Sequence, residues 1–348
     1  MSSIDDLQSF KTILLQRIVT SRTRFSDENI LPFYPASSFT LSDYEFRMAQ
    51  STYSDFVSSN MESLFRAYAS LSDQGSKLML IEMILFRLLG HRRIRLPFKE
   101  AYEQHVQALQ ALVSAPSPLA EASESKLLKL FKIYYKGREL TLNCLAANIF
   151  FTFMARQYYF ERGDLCICPE PGDHVIDAGG CFGDTAVAFA VDVGPAGRVH
   201  TFEPMSVHLD VIAANVIAND LRDIISVHAC GLSDSERDGT VDAGPADPGH
   251  MASAAVRLAS IDAMVATGQI ERVDFIKMDI EGAELPALEG CRNTIQEFKP
   301  KLAISAYHKF DDLFTIIDKI KSISPSYRFH LDNYTLSDGE LVVYATAR

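Results

Sequence analysis

The sequence lacks the excess of basic charge and the long apolar runs that several classes of protein need. Its formal net charge of -12 at pH 7 argues against a surface that follows a phosphate backbone or anionic lipids. The most apolar run, residues 78–89, contains Glu82 and Arg87 and is shorter than the ~20 residues that span a bilayer. Acidic residues stand where a signal peptide has its basic region. We therefore expect a soluble, cytoplasmic protein with no nucleic-acid or membrane partner.

Cysteine is also sparse, with six residues scattered along the chain. Cys166 and Cys168 lie two positions apart, which is the spacing neither of a CxxC redox motif nor of a zinc knuckle. We expect all six cysteines to be reduced thiols in a reducing compartment.

What is present is an ordinary globular composition, 47% hydrophobic and 22% charged over 348 residues, which is enough for two domains. Apolar residues such as Leu78, Ile81 and Leu85 recur at helical spacing in the first third of the chain. Two prolines and several small residues then mark a linker at 114–125. The predicted domains are an N-terminal helical domain over residues 1–125 that ends in this linker, a lead-in strand and helix over 126–165, and a second domain over 166–348.

The second domain has the alternation of an α/β protein. From Asp173 onwards, short apolar runs that end in Gly, Asp or Pro alternate with helical patterns, which indicates a mostly parallel sheet with helices on both faces. No helix fits between the last two apolar runs, 327–331 and 340–345, so we predict an antiparallel hairpin at the end of the sheet. In the lead-in, we predict a strand over 130–135 and a helix over 142–159.

A glycine-rich turn follows the first predicted strand of this domain, in the sequence Val175-Ile-Asp-Ala-Gly-Gly-Cys-Phe-Gly-Asp-Thr185. Glycine lets a backbone approach a ligand closely and adopt positive φ. The start of the next helix presents free N–H groups to a carboxylate or phosphate. The glycine spacing is GxxxG and therefore differs from the GxGxxG dinucleotide fingerprint.

The dipeptide Glu203-Pro204 ends the next predicted strand. An acidic side chain at that place accepts hydrogen bonds from ribose hydroxyls, although a glutamate taken alone is more often a surface carboxylate. Together with the glycine turn, Glu203 predicts a site for an adenosine-containing cofactor. The two motifs by themselves do not decide which cofactor it is.

A third motif, Val273-Asp-Phe-Ile-Lys-Met-Asp-Ile-Glu-Gly-Ala-Glu284, resembles the signature of the FkbM family of S-adenosylmethionine-dependent methyltransferases, which reads like iKxDxEGxE. The resemblance extends through residues 256–262, residues 299–309 and Glu203-Pro204, and it covers residues 166–348. It implies a Rossmann-like, seven-stranded methyltransferase sheet, mostly parallel with a C-terminal antiparallel hairpin. Members of the family are mostly O-methyltransferases that act on hydroxyls of sugars, polyketides and related small molecules. The N-terminal helices resemble no family.

The resemblance also implies which residues bind S-adenosyl-L-methionine. Glu203 would hold the ribose diol, and the loop 230–234 would flank the adenine. Gly180-Cys181-Phe182 stands where many members carry Ala-Asn-Ile or similar, and we expect little effect because these positions act largely through the backbone. The predicted cofactor-binding residues are Asp177, Gly179, Gly180, Gly183, Asp184, Thr185, Glu203, Pro204, Gly231, Leu232 and Asp279.

Asp279, Glu281 and His308 are the predicted catalytic residues, because they follow the fourth and fifth strands of the domain and ligands bind beyond such strand ends. Imidazole titrates near working pH, so His308 is the predicted general base; a structural histidine is the alternative. Asp279 is expected to contact the cofactor or orient the substrate. Glu281, like Glu284, has the alternative of a helix-start residue favoured by the dipole. Methyl transfer does not require a metal, and no metal ion is predicted.

The leading hypothesis is therefore a methyltransferase that moves a methyl group by in-line displacement to a hydroxyl of a small molecule, such as a sugar, a polyketide or another natural product. A nicotinamide-dependent oxidoreductase shares the glycine turn and the acidic residue, but the GxxxG spacing and residues 279–284 speak against it. A non-catalytic module that keeps S-adenosylmethionine binding is a third hypothesis. The apolar N-terminal helices are suited to an interface, which leaves a homo-oligomer open.

Overall fold

The computed structural model describes residues 4–21, 43–90, 93–97, 99–112, 114–121, 127–242 and 253–347. Within them the helices are α1 (Leu7–Ser21), α2 (Asp43–Ser59), α3 (Met61–Ser70), α4 (Gln74–Leu89), α5 (Lys99–Gln110), α6 (Ala146–Asn148), α7 (Asp184–Val193), α8 (Ser206–Ala218), α9 (Ile261–Ala266), α10 (Glu284–Glu289), α11 (Arg292–Phe298) and α12 (Asp312–Ile323). A π-helical segment, Ile149–Met154, follows α6. The strands are β1 (Ser114–Pro116), β2 (Lys129–Tyr135), β3 (Arg138–Cys144), β4 (Phe160–Arg162), β5 (Leu165–Ile167), β6 (His174–Ala178), β7 (Arg198–Phe202), β8 (Ile225–His228), β9 (Gly231–Leu232), β10 (Arg237–Asp242), β11 (Ser253–Ala259), β12 (Phe275–Met278), β13 (Lys301–Ser305), β14 (Arg328–Asn333) and β15 (Leu341–Thr346).

The largest sheet has seven strands in the order β14-β15-β13-β12-β6-β7-β8. The five strands from β13 to β8 pair in parallel, and β14 and β15 are neighbours at one edge. Every residue of β12, β13 and β15 is buried, as is typical of a sheet covered on both faces. The predicted fold class is confirmed. Within the described ranges, none of the helices is long and apolar enough to cross a membrane.

The chain forms two compact units. In the first, the start of α4 is bonded to β14. Asp73 accepts a hydrogen bond from the Ser76 amide (2.9 Å) and lies 2.7 Å from Nδ1 of His330, while the Leu331 amide donates to Ser76 Oγ (2.9 Å). The segments of the first unit are residues 1–103, 306–318 and 328–343, and those of the second are 104–305, 319–327 and 344–348. The predicted domain limits stay a prediction.

The lead-in to the large sheet differs from its prediction after the first strand. β2 and β3 form an antiparallel hairpin whose two turn residues, Lys136 and Gly137, have φ values of 47° and 82°, as a type I′ turn requires. Leu140 and Leu142 are fully buried at the two-residue period of a strand. The helix predicted over 142–159 is therefore wrong at its start, because burial at a period of two makes this segment a strand.

The predicted linker at 114–125 is partly ordered into the same small sheet. Its first residues form β1, which pairs antiparallel with β2, so the two prolines lie at the end of a strand and just beyond it. Residues 122–125 of the linker lie outside the described residues.

Cys166 and Cys168 are joined by a disulfide, so the expectation of reduced thiols is wrong for this pair. Side chains two positions apart on an extended segment point to the same face, which allows the two sulfurs to meet. The other four cysteines are free, as expected.

Candidate functional site

Four neighbouring parallel strands bring the predicted cofactor residues together. The glycine turn follows β6, Glu203 follows β7, Gly231 follows β8 and Asp279 follows β12. These strands are consecutive in the sheet, and all of these residues belong to the second unit. The carboxyl ends of parallel strands meet at one edge of the sheet, where ligands of open α/β folds bind.

The glycines of the turn are required by its close packing against β7 and β12. Gly179 has φ of 81°, and a Cβ there would lie 1.8 Å from the carbonyl oxygen of Asp279. A Cβ on Gly180 would lie 2.4 Å from Thr201 Oγ1. The amides of both glycines donate to the carbonyl of Phe202 at 3.0 Å. Any side chain at either position would push the turn away from its neighbours.

Gly183 ends the turn and starts α7. Its φ of 79° is left-handed, a conformation that glycine adopts without strain. It has no side chain with which to cap the first amides of α7. Those amides are suited to a carboxylate or phosphate of a ligand, which agrees with the predicted role of the turn.

Several polar side chains of this site bond to Asp177. Its carboxylate is fully buried and accepts hydrogen bonds from the hydroxyls of Thr185 (3.0 Å) and Thr201 (2.9 Å). It therefore connects β6 with α7 and β7. Both Asp177 and Thr185 were predicted to bind the cofactor, and in the structure their side chains bond to each other.

Lys277 in β12 pairs with Asp177, its register partner in β6, at 3.2 Å between Nζ and Oδ1. Nζ also donates to the carbonyls of Ala178 (3.1 Å) and Gly179 (2.6 Å). Burial by itself lowers the pKa of Lys277, but the carboxylates of Asp177 and Asp279 outweigh it and raise the pKa above its usual value. The ammonium thus fixes the start of the glycine turn.

Glu203 is held in one orientation by the backbone. Its carboxylate accepts hydrogen bonds from the amides of Cys181 (2.8 Å) and Met205 (2.9 Å), and Nδ1 of His208 lies 3.3 Å from Oε1. A carboxylate has about four lone-pair sites, so it keeps acceptor capacity for a diol. The side chain is only 5% exposed, which is unlike an ordinary surface glutamate.

The loop after β8 lies beside Pro204. A Cβ on Gly231 would lie 3.9 Å from Cβ of Pro204 and 2.9 Å from the side chain of Leu258. Leu232 is buried, and β9 pairs in parallel with β11. Gly231 is therefore packed closely against Leu258, with Pro204 beside it.

Asp184 has a different environment from the other predicted cofactor residues. Its buried carboxylate accepts hydrogen bonds from Asn148 Nδ2 (3.0 Å) and Thr152 Oγ1. Burial raises the pKa of Asp184 to about 6, and the Thr152 hydroxyl opposes that rise. The side chain bonds to the lead-in segment, so any contact with a cofactor is left to its backbone.

Asp279 is half-buried after β12 and has a partner that the sequence did not reveal. The hydroxyl of Tyr158 donates to Asp279 Oδ2 at 2.8 Å, and the ring of Tyr158 lies 5.2 Å from Nζ of Lys277. Because Tyr158 and Asp279 are 121 positions apart along the chain, only the folded structure brings them together.

The two glutamates of the third motif differ in burial. Glu281 is exposed and has φ of 54°. Glu284 is 1% exposed, begins α10 and accepts a hydrogen bond from the Ile280 amide (3.0 Å). Glu284 is therefore a helix-start residue, whereas the catalytic role of Glu281 stays a prediction.

His308 follows β13, in the segment 306–318 of the first unit. Its ring is half-buried and lies 4.2 Å from the ring of Tyr307, between centroids. The role of His308 as general base stays a prediction.

Lys277, which binds the turn, and Tyr158, which donates to Asp279, are not among the predicted site residues. A lysine inside the apolar run Phe275-Ile-Lys-Met278 is the one signal for a buried partner, because lysine is almost never fully buried unless paired. Tyr158 lies in the predicted lead-in helix and carried no comparable signal.

Comparison with known proteins agrees with this geometry. The family model of the methyltransferase FkbM domain matches residues 177–331. The chain is similar to the crystal structure of methyltransferase FkbM from Methylobacillus flagellatus KT, with 23% identity and a TM-score of 0.54 over 84% of this chain and 60% of that chain. It thus spans less than two thirds of that protein's length. The chain also matches, at a TM-score of 0.34, an O-methyltransferase from Bacillus cereus in complex with SAH, with 11% identity over 77% of this chain and 97% of that one.

No curated protein matches the chain in sequence. The matched range 177–331 includes every predicted cofactor-binding and catalytic residue. The resemblance to the FkbM family predicted from the third motif is therefore confirmed over residues 177–331.

Proposed function

We propose that the protein is an S-adenosylmethionine-dependent methyltransferase that transfers a methyl group to a hydroxyl of a small molecule. The observation that carries this proposal is the convergence of the glycine turn, Glu203 and Asp279 at the ends of consecutive parallel strands within the matched domain.

The residues at this edge of the sheet fit different parts of the donor. Glu203, fixed by two backbone amides, has the acceptor capacity for the ribose hydroxyls. The uncapped first turn of α7 after Gly183 suits the carboxylate of the methionyl part. The loop at Gly231 and Leu232 supplies the apolar contact for the adenine. When bound, S-adenosylmethionine supplies an electrophilic methyl carbon on a sulfonium.

The remaining work of the chain is to align and deprotonate the acceptor. Alignment of two reactants contributes up to ~7–11 kcal/mol to lowering a barrier. His308 would take the proton of the acceptor hydroxyl, which is worth roughly 10²–10⁴-fold in rate. Asp279, oriented by Tyr158, would position the acceptor or the donor.

The acceptor proposed here is a small hydroxylated molecule such as a natural product, in keeping with the resemblance to FkbM enzymes. The net charge of -12 supports a partner other than nucleic acid or an anionic membrane, and we propose that the protein acts in the cytoplasm. A homo-oligomer formed through the N-terminal helices is part of the same proposal.

Titration calorimetry tests the donor. We expect S-adenosylmethionine and its demethylated product, S-adenosylhomocysteine, to bind the full chain, and NADH not to bind. The proposal fails if neither sulfur compound has measurable affinity. A screen of hydroxyl, amine and carbon acceptors, with mass spectrometry for the gain of one methylene, then tests the reaction; gain on a nitrogen or carbon acceptor alone would refute O-methylation.

A further inference from the structure

Asn215, in the last turn of α8, connects the glycine turn to the β2–β3 hairpin. The side chain is fully buried. Its Nδ2 donates to the carbonyls of Phe182 (2.8 Å) and Asn143 (2.9 Å), and its Oδ1 accepts a hydrogen bond from the Asn143 amide (2.7 Å). One amide group thus binds the turn and the edge strand β3 together.

The position of the Phe182 carbonyl matters because it lies between Gly180 and Gly183 in the turn. Gly183 N donates back to Gly180 O at 2.6 Å, so the turn is tight, and Cys181 N donates to Glu203. A shift of the Phe182 peptide would move the amide that orients Glu203 and the first amides of α7. Both groups belong to the proposed donor site.

A second contact supports the turn from the same side. Asp184, next to Gly183, accepts hydrogen bonds from Asn148 and Thr152. Residues on both sides of Gly183 are therefore bonded, directly or through Asn215, to a lead-in that precedes the matched range 177–331. The lead-in therefore supports the turn through these hydrogen bonds.

We propose that Asn215 is a positioning residue of the donor site, which holds the glycine turn in shape against β3. The inference concerns the donor site and therefore rests on the proposed function. The hydrogen bonds by which Asn215 holds the turn do not depend on that function. Removal of Asn215 leaves the Phe182 carbonyl buried without its amide donor, and such a group moves to find another partner.

Asn219 offers a matched control one helical turn further along the same helix face. Its Oδ1 accepts a hydrogen bond from the Thr141 amide (2.9 Å), and its Nδ2 donates to the carbonyls of Thr141 (2.8 Å) and Asn215 (2.7 Å). Asn219 therefore binds the same hairpin as Asn215, while its side chain bonds to β3 and α8 rather than to the turn.

The experiment compares Asn215→Ala and Asn219→Ala in the full chain by calorimetry with S-adenosylhomocysteine and by urea unfolding. Both variants should lower the unfolding midpoint to a similar extent. Asn215→Ala should weaken S-adenosylhomocysteine binding by about tenfold or more, whereas Asn219→Ala should change it by less than about twofold. Equal affinities in the two variants would overturn the inference, since Asn215 would then act through stability alone.

Hydrogen exchange of a peptide that spans the turn gives an independent readout. Its amides should exchange faster in Asn215→Ala and at the wild-type rate in Asn219→Ala; equal rates in both would refute the positioning. If wild-type protein binds no S-adenosylhomocysteine, the proposed function fails, and the exchange comparison still decides whether Asn215 holds the turn. If Asn215→Ala does not fold, Asn215→Leu replaces it, because leucine fills nearly the same volume and cannot donate to Phe182.

Discussion

Replacement of Lys277 by methionine should destabilise the protein by ~3–5 kcal/mol, the usual cost of breaking a buried ion pair on one side. Lys277 is 2% exposed and Asp177 is fully buried, with 3.2 Å between Nζ and Oδ1. Methionine fills nearly the same volume, so packing contributes little. The loss comes from the carboxylate that remains buried without its cation. We expect the lower half of the range, because Thr185 and Thr201 still donate to Asp177.

The measurement is urea unfolding followed by far-UV circular dichroism, since the chain contains no tryptophan. Lys319→Met is the control, because Lys319 pairs with Glu289 at 2.9 Å while both side chains are partly exposed. Such a pair is worth less than about 1 kcal/mol. The double variant Asp177→Asn with Lys277→Met should recover part of the loss, because neither charge is then buried alone. If Lys277→Met costs no more than Lys319→Met, the buried pair does not have the role given to it here.

Three further outcomes are expected. Tyr158→Phe removes the hydroxyl bonded to Asp279, worth about 1 kcal/mol, and should weaken S-adenosylhomocysteine binding about fivefold; unchanged affinity in calorimetry would speak against a cofactor role for Asp279. Burial and the neighbouring His228 lower the pKa of His200 to about 4, so the folded chain holds this ring neutral while the unfolded chain takes up a proton as the pH falls below about 6.5. The free energy of unfolding attributable to His200, measured as wild type minus His200→Gln, should therefore be complete above that pH and fall by up to about 3 kcal/mol towards pH 4; a difference independent of pH would contradict this. His308→Ala should slow methyl transfer by roughly 10²–10⁴-fold with little change in donor affinity, and unchanged turnover would exclude His308 as the base.

Two features of the fold can be predicted from the sequence but are absent from the predictions above. The Lys136-Gly137 turn with its alternating apolar neighbours is a local hairpin signal, and side chains two positions apart, as at Cys166 and Cys168, point to the same side of an extended segment. A helix was predicted over 142–159 where the second strand of the hairpin ends, and the spacing of the two cysteines fits neither a CxxC motif nor a zinc knuckle.

The sequence by itself determined the positions of the seven strands of the large sheet, the glycine turn after β6 and the acidic residue after β7; it did not indicate the small sheet of β9, β10 and β11. Each of these features depends on residues that are close together in the sequence. Apolar periodicity selects helix or strand, and positive φ at Gly179 and Gly183 favours residues without a Cβ. The family signature in the third motif is local in the same sense.

Only the tertiary structure decided which polar groups meet. Lys277 and Asp177 lie far apart along the chain and become partners because β12 and β6 are neighbours in the sheet. The bonds from Tyr158 to Asp279 and from Asn215 to Phe182 likewise join segments that no short pattern relates. Buried polar groups must find hydrogen-bond partners, but which partner is within reach depends on how all the strands and helices pack, and that is a property of the whole chain.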